Sequence, residues 1–352
     1  MIQYISNFKL LFNGDKMLEI IRKELVMARC PTDFCHASTL LPLADGSLLC
    51  CWFGGTREGN ADVAVYGSRR SDGRWSEPRM LADGAEANWN PVLLQLPDGW
   101  IWLFYKEGQQ ISDWRTLVKK SCDGGASWSE ARELAPGDTG GGRGPVRNKV
   151  LRLADGRLVA GASTERGLWQ AYADFSDDNG ASWRRSQPIT IAGLRYEAGE
   201  RTAGGSTIAV SEQSFYGRGV IQPSLWQDTT GVHMLLRSSE GFVYRSDSAD
   251  SGASWCGAYP LALPNNNSGL DVAQLDGSLY LACNPVAANW GARSPLSIFT
   301  SGDGYEWEKL LDLESGPGEF SYPAVLAHDG RLLVSYTYDR RNICVAVLGM
   351  RQ

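Results

Sequence analysis

The stretch Ser176-Asp-Asp-Asn-Gly-Ala-Ser-Trp183 has the pattern Ser-x-Asp-x-Gly-x-x-Trp, which we call the box, and the chain repeats it. Complete boxes also begin at Ser121 and Ser248, and shortened boxes begin at Ser71 and Ser301. Each box fits a tight turn, because Asp can accept hydrogen bonds from backbone amides of its own turn and Gly supplies a conformation that other residues avoid. The Trp can pack beneath the turn. Five boxes in register indicate an internal repeat.

A second repeated feature is the dipeptide Asp-Gly between two apolar runs, which is a strong signal for a β-hairpin. It occurs at 45–46, 98–99, 155–156, 276–277 and 329–330, with a degenerate copy at 228–231. The first three Asp-Gly turns are 53 and 57 residues apart, and Trp75, Trp128 and Trp183 of the first three boxes are 53 and 55 apart. This shared period matches a four-stranded propeller blade. The sequence therefore predicts an all-β fold, a six-bladed β-propeller.

The domain organisation follows from six Asp-Gly turns but only five boxes. The last repeat begins near Ser321 and ends one strand short. We expect the Leu/Ile/Val-rich segment Leu18–Met27 to supply its missing outer strand, because this would leave no open sheet edge. Residues 17–352 then form one propeller domain, and residues 1–16 form a peripheral segment. The long, Gly-rich segment 184–219 predicts a loop at the rim.

Composition narrows the possible functions. The chain has 352 residues, is 43% hydrophobic and 21% charged, and carries a net charge of −6. This charge argues against a nucleic acid or an anionic membrane as a partner. The eight Cys form no CxxC pair or metal-like cluster, so neither a metal site nor a cofactor is expected. No signal peptide or membrane-spanning run is apparent, which predicts a cytoplasmic protein, and the sequence does not indicate the oligomeric state.

A candidate site lies on the face opposite the boxes. Successive strands are antiparallel, so the first strand of each repeat starts on that face, and the loops between second and third strands also lie there. All six strand starts are polar: His36, Asn90, Arg147, Gln222, Asn267 and Tyr322. The loops add Arg57, Asp62, Arg237, Arg293 and Arg340. A single polar strand start is commonly just a solvated end, but six together with several Arg suit an anion, since guanidinium binds carboxylate through two hydrogen bonds.

With these features, residues 30–350 resemble the sialidase (neuraminidase) superfamily of Asp-box, or BNR-repeat, six-bladed propellers. Its members hold the substrate carboxylate with three Arg, use an Asp as acid/base and attack with a Tyr assisted by a Glu. The segment Phe34–Leu40 resembles the one that bears the first Arg, but it has His36 in that place. The segment from Thr56-Arg57 to Asp62 resembles the loop with an auxiliary Arg and the acid/base Asp. Asn90-Pro91 resembles a pocket-lining Asp-Pro.

The later segments continue the resemblance. Gln222 to Arg237 resembles the Glu-then-Arg pair, with Gln in place of Glu, while Arg293 resembles the third Arg and Tyr322 the nucleophile. The resemblance implies Asp62 as acid/base and Arg237 and Arg293 as carboxylate ligands. A Tyr has a pKa near 10 and needs a base or cationic surroundings to attack. Because Gln222 cannot take its proton, His36 and the Arg residues are the candidates.

Together these observations predict a sialidase-like, retaining exo-glycosidase whose partner is an acidic oligosaccharide or glycan ending in a sialic, other ulosonic or uronic acid. Tyr322 would be the nucleophile. One alternative is a uronate lyase, in which Tyr322 or His36 removes the proton beside a carboxylate neutralised by Arg and Gln222. Another is a glycan-binding propeller without catalysis.

Overall fold

A computed structural model of the protein describes residues 18–138, 142–201 and 216–351. Within these ranges the regular structure is strand, apart from one three-residue 3-10 helix at Ile111–Asp113. The predicted all-β class is therefore confirmed. No helix in the described ranges is long and apolar enough to cross a membrane. The predicted peripheral segment 1–16 and part of the predicted rim loop, 202–215, lie outside the described residues.

The strands are numbered in chain order: β1 (Leu18–Leu25), β2 (Phe34–Pro42), β3 (Leu48–Gly55), β4 (Ala64–Ser71), β5 (Arg74–Trp75), β6 (Arg79–Ala82), β7 (Asn88–Gln95), β8 (Ile101–Glu107), β9 (Arg115–Ser121), β10 (Arg132–Glu133), β11 (Leu151–Arg152), β12 (Leu158–Thr164), β13 (Leu168–Ser176), β14 (Arg184–Arg185), β15 (Arg218–Asp228), β16 (Gly231–Ser238), β17 (Phe242–Ser248), β18 (Tyr259–Pro264), β19 (Asp271–Leu275), β20 (Ser278–Cys283), β21 (Leu296–Ser301), β22 (Glu308–Glu314), β23 (Phe320–His328), β24 (Arg331–Tyr338) and β25 (Asn342–Met350).

In the described part of the chain these strands form five hydrogen-bonded sheets, not the six separate sheets expected. Strands β2–β6, β7–β10 and β19–β22 each form one sheet, and β23–β25 form another with β1. The remaining sheet has eight strands, β11 to β18. A parallel pairing of Leu168 and Trp169 with Arg218 and Gly219 joins its two antiparallel halves, and this pairing is the reason for the difference. The arrangement is propeller-like.

The first strand closes the last sheet. Strand β1 pairs antiparallel with β25, from Leu18 opposite Met350 to Leu25 opposite Cys344. The predicted strand Leu18–Met27 is thus found beside the last strand of the chain, although it ends at Leu25. Met27 extends the contact, since its amide donates to Asn342 Oδ1 at 3.2 Å. The closure removes the open edge that β25 would otherwise have.

Neighbouring sheets pack face to face through apolar side chains. One core cluster joins Cys50 and Trp52 of β3 to Leu333 of β24 and Val345 of β25. Strands that are covered on both faces read as continuous apolar runs, which explains why β3 and β25 are almost entirely hydrophobic. Burial of this apolar surface is the main favourable contribution to folding.

The boxes and the Asp-Gly turns share one end of the sheets. Leu158, just after the Asp155-Gly156 turn, pairs with Ser176, the first residue of a box. Arg157 Nε also donates to Asp177 Oδ1 at 2.6 Å, so the turn and the box are linked directly. We call this the box end. The starts of the first strands and the loops between second and third strands therefore lie at the opposite end, which we call the cavity end.

Candidate functional site

The first strands of four repeats begin with the same irregularity. The pairing register shifts between His36 and Thr39, Trp89 and Val92, Ile221 and Ser224, and Ser321 and Ala324. Each shift contains a non-Gly residue with positive φ, at Ala37 (51°), Asn90 (45°), Gln222 (54°) and Tyr322 (54°). Such conformations cost about 1–3 kcal/mol each and concentrate at functional sites. Because a bulge redirects side chains away from the ladder, these residues can converge.

Asn90, Gln222 and Tyr322, together with His36, line a cavity at the cavity end of the sheets. One part of its wall is aromatic and apolar, and another carries guanidinium and carboxyl groups. The lining residues are His36, Phe53, Glu58, Trp89, Asn90, Ile111, Trp114, Glu165, Gln222, Arg237, Trp290, Arg293, Tyr322 and Arg340. A concave site with an apolar wall and a few convergent polar groups is typical of a small-molecule binding site.

Tyr322 lies among three arginines. Its hydroxyl accepts a hydrogen bond from Arg237 Nη1 at 2.6 Å. The guanidinium carbons of Arg147, Arg237 and Arg293 lie 5.4, 5.6 and 5.3 Å from the centre of its ring. Arg147 lies beneath, where its Nη2 donates to the Tyr322 carbonyl oxygen, and burial lowers the pKa of this guanidinium to about 10. Positive charge on this side of the ring favours negative charge on the phenol oxygen during a reaction, or on a carboxylate bound beside it.

Glu319, just before Tyr322 in the chain, anchors Arg293 and a fourth guanidinium, that of Arg340. Arg293 Nη1 donates to Glu319 Oε1 at 2.7 Å, and Arg340 Nε donates to both oxygens of Glu319, at 2.9 and 3.0 Å. Burial opposes ionisation of Glu319, but Arg293 and Arg340 outweigh it and lower the pKa of this carboxyl. Arg340 also donates to Glu58 through Nη1, while its buried Nη2 makes no hydrogen bond with any residue described. A buried donor in this state is suited to an incoming acceptor.

Arg340 and His36 are neighbours. Burial lowers the pKa of His36 well below its ordinary value, and the charge of Arg340 is the next cause, followed by Arg293. The imidazole is therefore neutral at pH 7. Arg340, in the loop after β24, thus places a guanidinium near His36. The resemblance implies an Arg at the position of His36.

His36 is placed against the face of Tyr322. Their ring centres are 4.2 Å apart at an angle of 49°, and His36 Nδ1 lies 2.9 Å from Thr337 Oγ1. Gln222 Oε1 accepts from Arg237 Nη1 at 3.2 Å, the same nitrogen that contacts the Tyr322 hydroxyl. The phenol oxygen of Tyr322 is therefore next to the guanidinium of Arg237. The side-chain amide of Gln222 contacts the same guanidinium, and an amide cannot take the phenol proton.

Four residues predicted at the candidate site do not line the cavity: Arg57, Asp62, Arg147 and Asn267. Arg147 and Asn267 lie behind it, where they contact Tyr322 and Arg237, respectively. Arg57 and Asp62 are both exposed. Asp62 instead closes its own loop, since its carboxylate accepts hydrogen bonds from the Thr56 amide at 2.9 Å and the Thr56 hydroxyl at 3.0 Å. Glu58, on the same loop, lines the cavity in their place. The prediction that Arg57 and Asp62 share the cavity wall with Tyr322 is corrected accordingly.

Sequence reasoning also missed Glu165, Glu319 and the aromatic wall. Glu165 lies between β12 and β13, in one of the loops assigned to the cavity face, so its position could have been found, but nothing distinguished it from other charged loop residues. Burial raises the pKa of the Glu165 carboxyl; the charge of Arg237 opposes this effect and that of Glu58 adds to it.

In the described ranges, no group of three or more His, Cys, Asp or Glu side chains could hold a metal ion.

The fold and this arginine-lined cavity define a propeller-like protein of the Asp-box class. The BNR repeat-like domain family matches residues 46–334, and the chain belongs to this family. No curated protein matches the sequence.

Solved structures show the same fold at low identity. A protein of unknown function from Dyadobacter fermentans is 16% identical with a TM-score of 0.73, over 95% of this chain and 99% of that one. The sialidase of Trypanosoma rangeli is 12% identical with a TM-score of 0.69, over 92% of this chain and 59% of that one. A mutant of NanB sialidase from Streptococcus pneumoniae is 11% identical with a TM-score of 0.69, over 93% and 71%. The chain is thus similar in fold to sialidases, and it spans about three fifths of the trypanosomal enzyme.

Proposed function

We propose that the protein is a sialidase-like exo-glycosidase that removes a terminal acidic sugar from an oligosaccharide or glycan. The observation that carries this proposal is that Arg237, Arg293 and Arg340 line the same cavity as Tyr322. Arg340 Nη2 is buried without a partner, and Nη2 of Arg237 also makes no hydrogen bond within the part of the chain that the structure describes. These donors suit a carboxylate, which accepts hydrogen bonds from guanidinium in a fixed planar geometry.

We also infer that the ring has six blades. The eight-stranded sheet supports this count, because its two halves each repeat the antiparallel order of the other sheets and each contains one complete box. The parallel contact between the halves involves two residues on each side. Counting the halves separately makes β11–β14 and β15–β18 the third and fourth blades.

In this proposal Tyr322 attacks the anomeric carbon, and the bond to the leaving oxygen breaks. Arg147, Arg237 and Arg293 stabilise the charge that develops around the attacking oxygen and the bound carboxylate. Asn90 and Gln222 contribute amide groups to the sugar-binding wall. Arg57 and Asp62, which the resemblance implies at the site, lie on the loop that carries Glu58, and any part they take would require that loop to change shape.

The substrate is expected to differ from common sialosides. The sialidase of Trypanosoma rangeli has been solved with sialic acid, and its fold is similar to this chain. In this chain, however, the neutral His36 and the amide Gln222 stand where the resemblance implies an Arg and a Glu. We therefore expect standard sialosides to react poorly and another ulosonic acid or a uronic acid to react better.

A second candidate is a uronate lyase. The observation that favours it is the contact between the Tyr322 hydroxyl and Arg237. The resemblance implies a Glu carboxylate that assists the Tyr as a nucleophile, but in this site the partner of Tyr322 is a guanidinium. In that reaction Tyr322 would remove the proton beside the sugar carboxylate, and the electron pair would form a carbon–carbon double bond as the leaving oxygen departs.

One experiment distinguishes these reactions. The protein is incubated in heavy-oxygen water with a panel of sialic, other ulosonic and uronic acid glycosides, and the products are weighed by mass spectrometry. A saturated sugar containing one heavy oxygen supports the glycosidase, and an unsaturated sugar supports the lyase. A fluorinated acidic sugar that traps the covalent intermediate should label the peptide containing Tyr322, with Tyr322→Phe as the unlabelled control. Binding without turnover of any glycoside would contradict both reactions.

A further inference from the structure

Glu165 differs from the other carboxyl groups near the cavity. It lines the cavity, yet it makes no hydrogen bond or ion pair within residues 18–138, 142–201 and 216–351. By contrast, Glu58 is paired with Arg340, and Glu319 is shared by Arg293 and Arg340. Glu165 is half-buried, and a carboxyl group that faces a cavity without a partner is a candidate for a functional role.

The loop that carries Glu165 is fixed on both sides. On one side, Ser163 Oγ accepts a hydrogen bond from the amide of Gln222 at 3.3 Å. On the other, Leu168 and Trp169 pair in parallel with Arg218 and Gly219, and Trp169 is buried. The short connection between these anchors holds Glu165 against the cavity beside the strand that carries Gln222.

The charges around Glu165 favour its protonated form. Burial is the largest influence and raises the pKa of this carboxyl, the charge of Glu58 acts in the same direction, and Arg237 opposes both. Two carboxyl groups in one site, one paired with Arg340 and one unpaired, are therefore placed in different environments. In glycosidases such a difference separates an acid from an ionised partner.

We propose that Glu165 is the general acid of this site, a role that rests on the proposed glycosidase function. Tyr322 reacts as the phenolate, after its proton has passed to solvent. As the phenolate oxygen bonds to the anomeric carbon, the electron pair of the breaking bond passes to the glycosidic oxygen, which takes the proton of Glu165. The Glu165 carboxylate then takes a proton from the water that attacks the same carbon, and the electron pair of the bond to Tyr322 returns to the phenol oxygen. Asp62, the acid implied by the resemblance, is exposed and bound to Thr56 instead.

The test compares Glu165→Gln and Asp62→Asn on two substrates that carry the same acidic sugar. One substrate has an activated aryl leaving group and the other has a natural sugar leaving group. General acid catalysis typically contributes about 10²–10⁴-fold, and the contribution is needed only for a poor leaving group. Glu165→Gln should lower turnover of the sugar substrate by about this factor, lower turnover of the aryl substrate much less, and remove the decline of turnover at high pH. Asp62→Asn alters the loop that carries Glu58, so it should affect both substrates equally and keep the decline of turnover at high pH. Equal loss on both substrates in Glu165→Gln, or the leaving-group effect in Asp62→Asn, would overturn the proposal.

A second measurement does not depend on turnover. Carbon-13 NMR titration of glutamate carboxyl groups, with Glu165→Gln as the assignment control, should show one carboxyl with a raised pKa that disappears in the variant. An ordinary pKa for Glu165 would overturn its role as an acid. Labelling of Tyr322 by the fluorinated sugar reports on the glycosidase separately, so failure of the Glu165 assignment and failure of the proposed function give different results.

Discussion

At the box end, the Ser hydroxyl that opens each complete box accepts a hydrogen bond from the amide of the box Gly, at 2.9 Å in the box of Ser121, 2.8 Å in that of Ser176 and 2.9 Å in that of Ser248. The Asp of each box in turn accepts from a Ser amide, at 2.9, 2.9 and 2.8 Å. At the cavity end, Arg340 Nη2 and Glu165 remain unpaired among the described residues, and Asn90, Gln222 and Tyr322 hold positive φ angles. The box turns satisfy the polar groups of their Ser, Asp and Gly residues, whereas the cavity end leaves a guanidinium nitrogen and a carboxyl group available.

This difference separates stability from function. A satisfied turn stabilises the fold in the same way in each repeat, so its residues recur. Polar groups left without a partner lower stability and persist where a ligand or a reaction uses them. Substitutions at the two ends should therefore act on different measurements.

The largest expected effect is that of Tyr322→Phe. Removing the hydroxyl removes the proposed nucleophile, so turnover of the best acidic glycoside should fall by on the order of 10³-fold or more. The melting temperature should change little, because the ring keeps its contacts with His36 and the arginines. Full activity of Tyr322→Phe in the same assay would eliminate a Tyr nucleophile.

The second prediction compares two buried arginines of the same sheet. Arg237→Lys removes hydrogen bonds to the bound carboxylate and should raise KM by about 10–100-fold, since hydrogen bonds to charged groups contribute about 1.5–3 kcal/mol. Arg245 lies at the box end, where it donates to Asp247 and to the Asp303 carbonyl at 2.8 and 2.9 Å. Arg245→Lys should lower the free energy of unfolding and leave KM unchanged. Steady-state kinetics and chemical denaturation of both variants test this prediction. An increase of KM in Arg245→Lys would contradict the assignment of binding to the cavity end alone.

The third prediction concerns one box. Ser176 is buried, and its hydroxyl accepts from the buried Gly180 amide. Ser176→Ala leaves that amide without a partner and should cost about 1–3 kcal/mol of the free energy of unfolding, with kcat unchanged. Ser182→Ala is the matched control in the same box, because its hydroxyl is exposed and its amide still donates to Asp178. A loss of stability from Ser182→Ala as large as that from Ser176→Ala would contradict this account.

The smallest effect should come from His233 at the box end. Burial lowers the pKa of His233, but Asp247 at 2.6 Å and Asp228 at 3.0 Å outweigh it and raise the pKa above its ordinary value of 6.5. Arg245 also faces the ring and opposes the increase. Because the folded protein holds this proton more tightly, His233 should stabilise fully below pH 6.5 and lose the contribution as the pH rises through the raised pKa.

The measurement is the difference in unfolding free energy between wild type and His233→Asn across pH 5 to 9. This subtraction cancels groups common to both proteins, such as Lys106, whose pKa burial lowers to about 7. The difference should shrink as the pH rises. A difference that grows with pH would mean that burial, rather than the two carboxylates, dominates at His233, as it does at His36.

Repetition explains which parts of the fold the sequence predicts. The boxes and the Asp-Gly turns recur at one period, so their positions and the closure by Leu18–Leu25 could be inferred by comparing repeats. The joining of two repeats into one sheet could not, because Leu168–Trp169 and Arg218–Gly219 carry no repeated signal and meet only through tertiary packing.

The residues of the site also include some that repetition predicts and some that it does not. Tyr322, Gln222 and Asn90 occupy equivalent positions in different repeats, and this equivalence indicated the face on which they lie. Asp62 and Glu58 share one loop, and the hydrogen bonds of Asp62 to Thr56 decide which carboxylate reaches the cavity. A motif gives the order of residues in such a loop but not its internal hydrogen bonds. The roles assigned to these residues stay predictions.

The pairing of β1 with β25 has a consequence for the order of folding. The contact between Met27 and Asn342 spans 315 residues of chain. During synthesis, β1 is made long before β25 and cannot pair with it until β25 has been made, so this sheet completes its hydrogen bonds late. Contacts between such distant segments slow folding, because the chain must close a long loop before they form. Until β1 pairs with it, β25 has an open edge, so protection from aggregation during synthesis matters most at this seam.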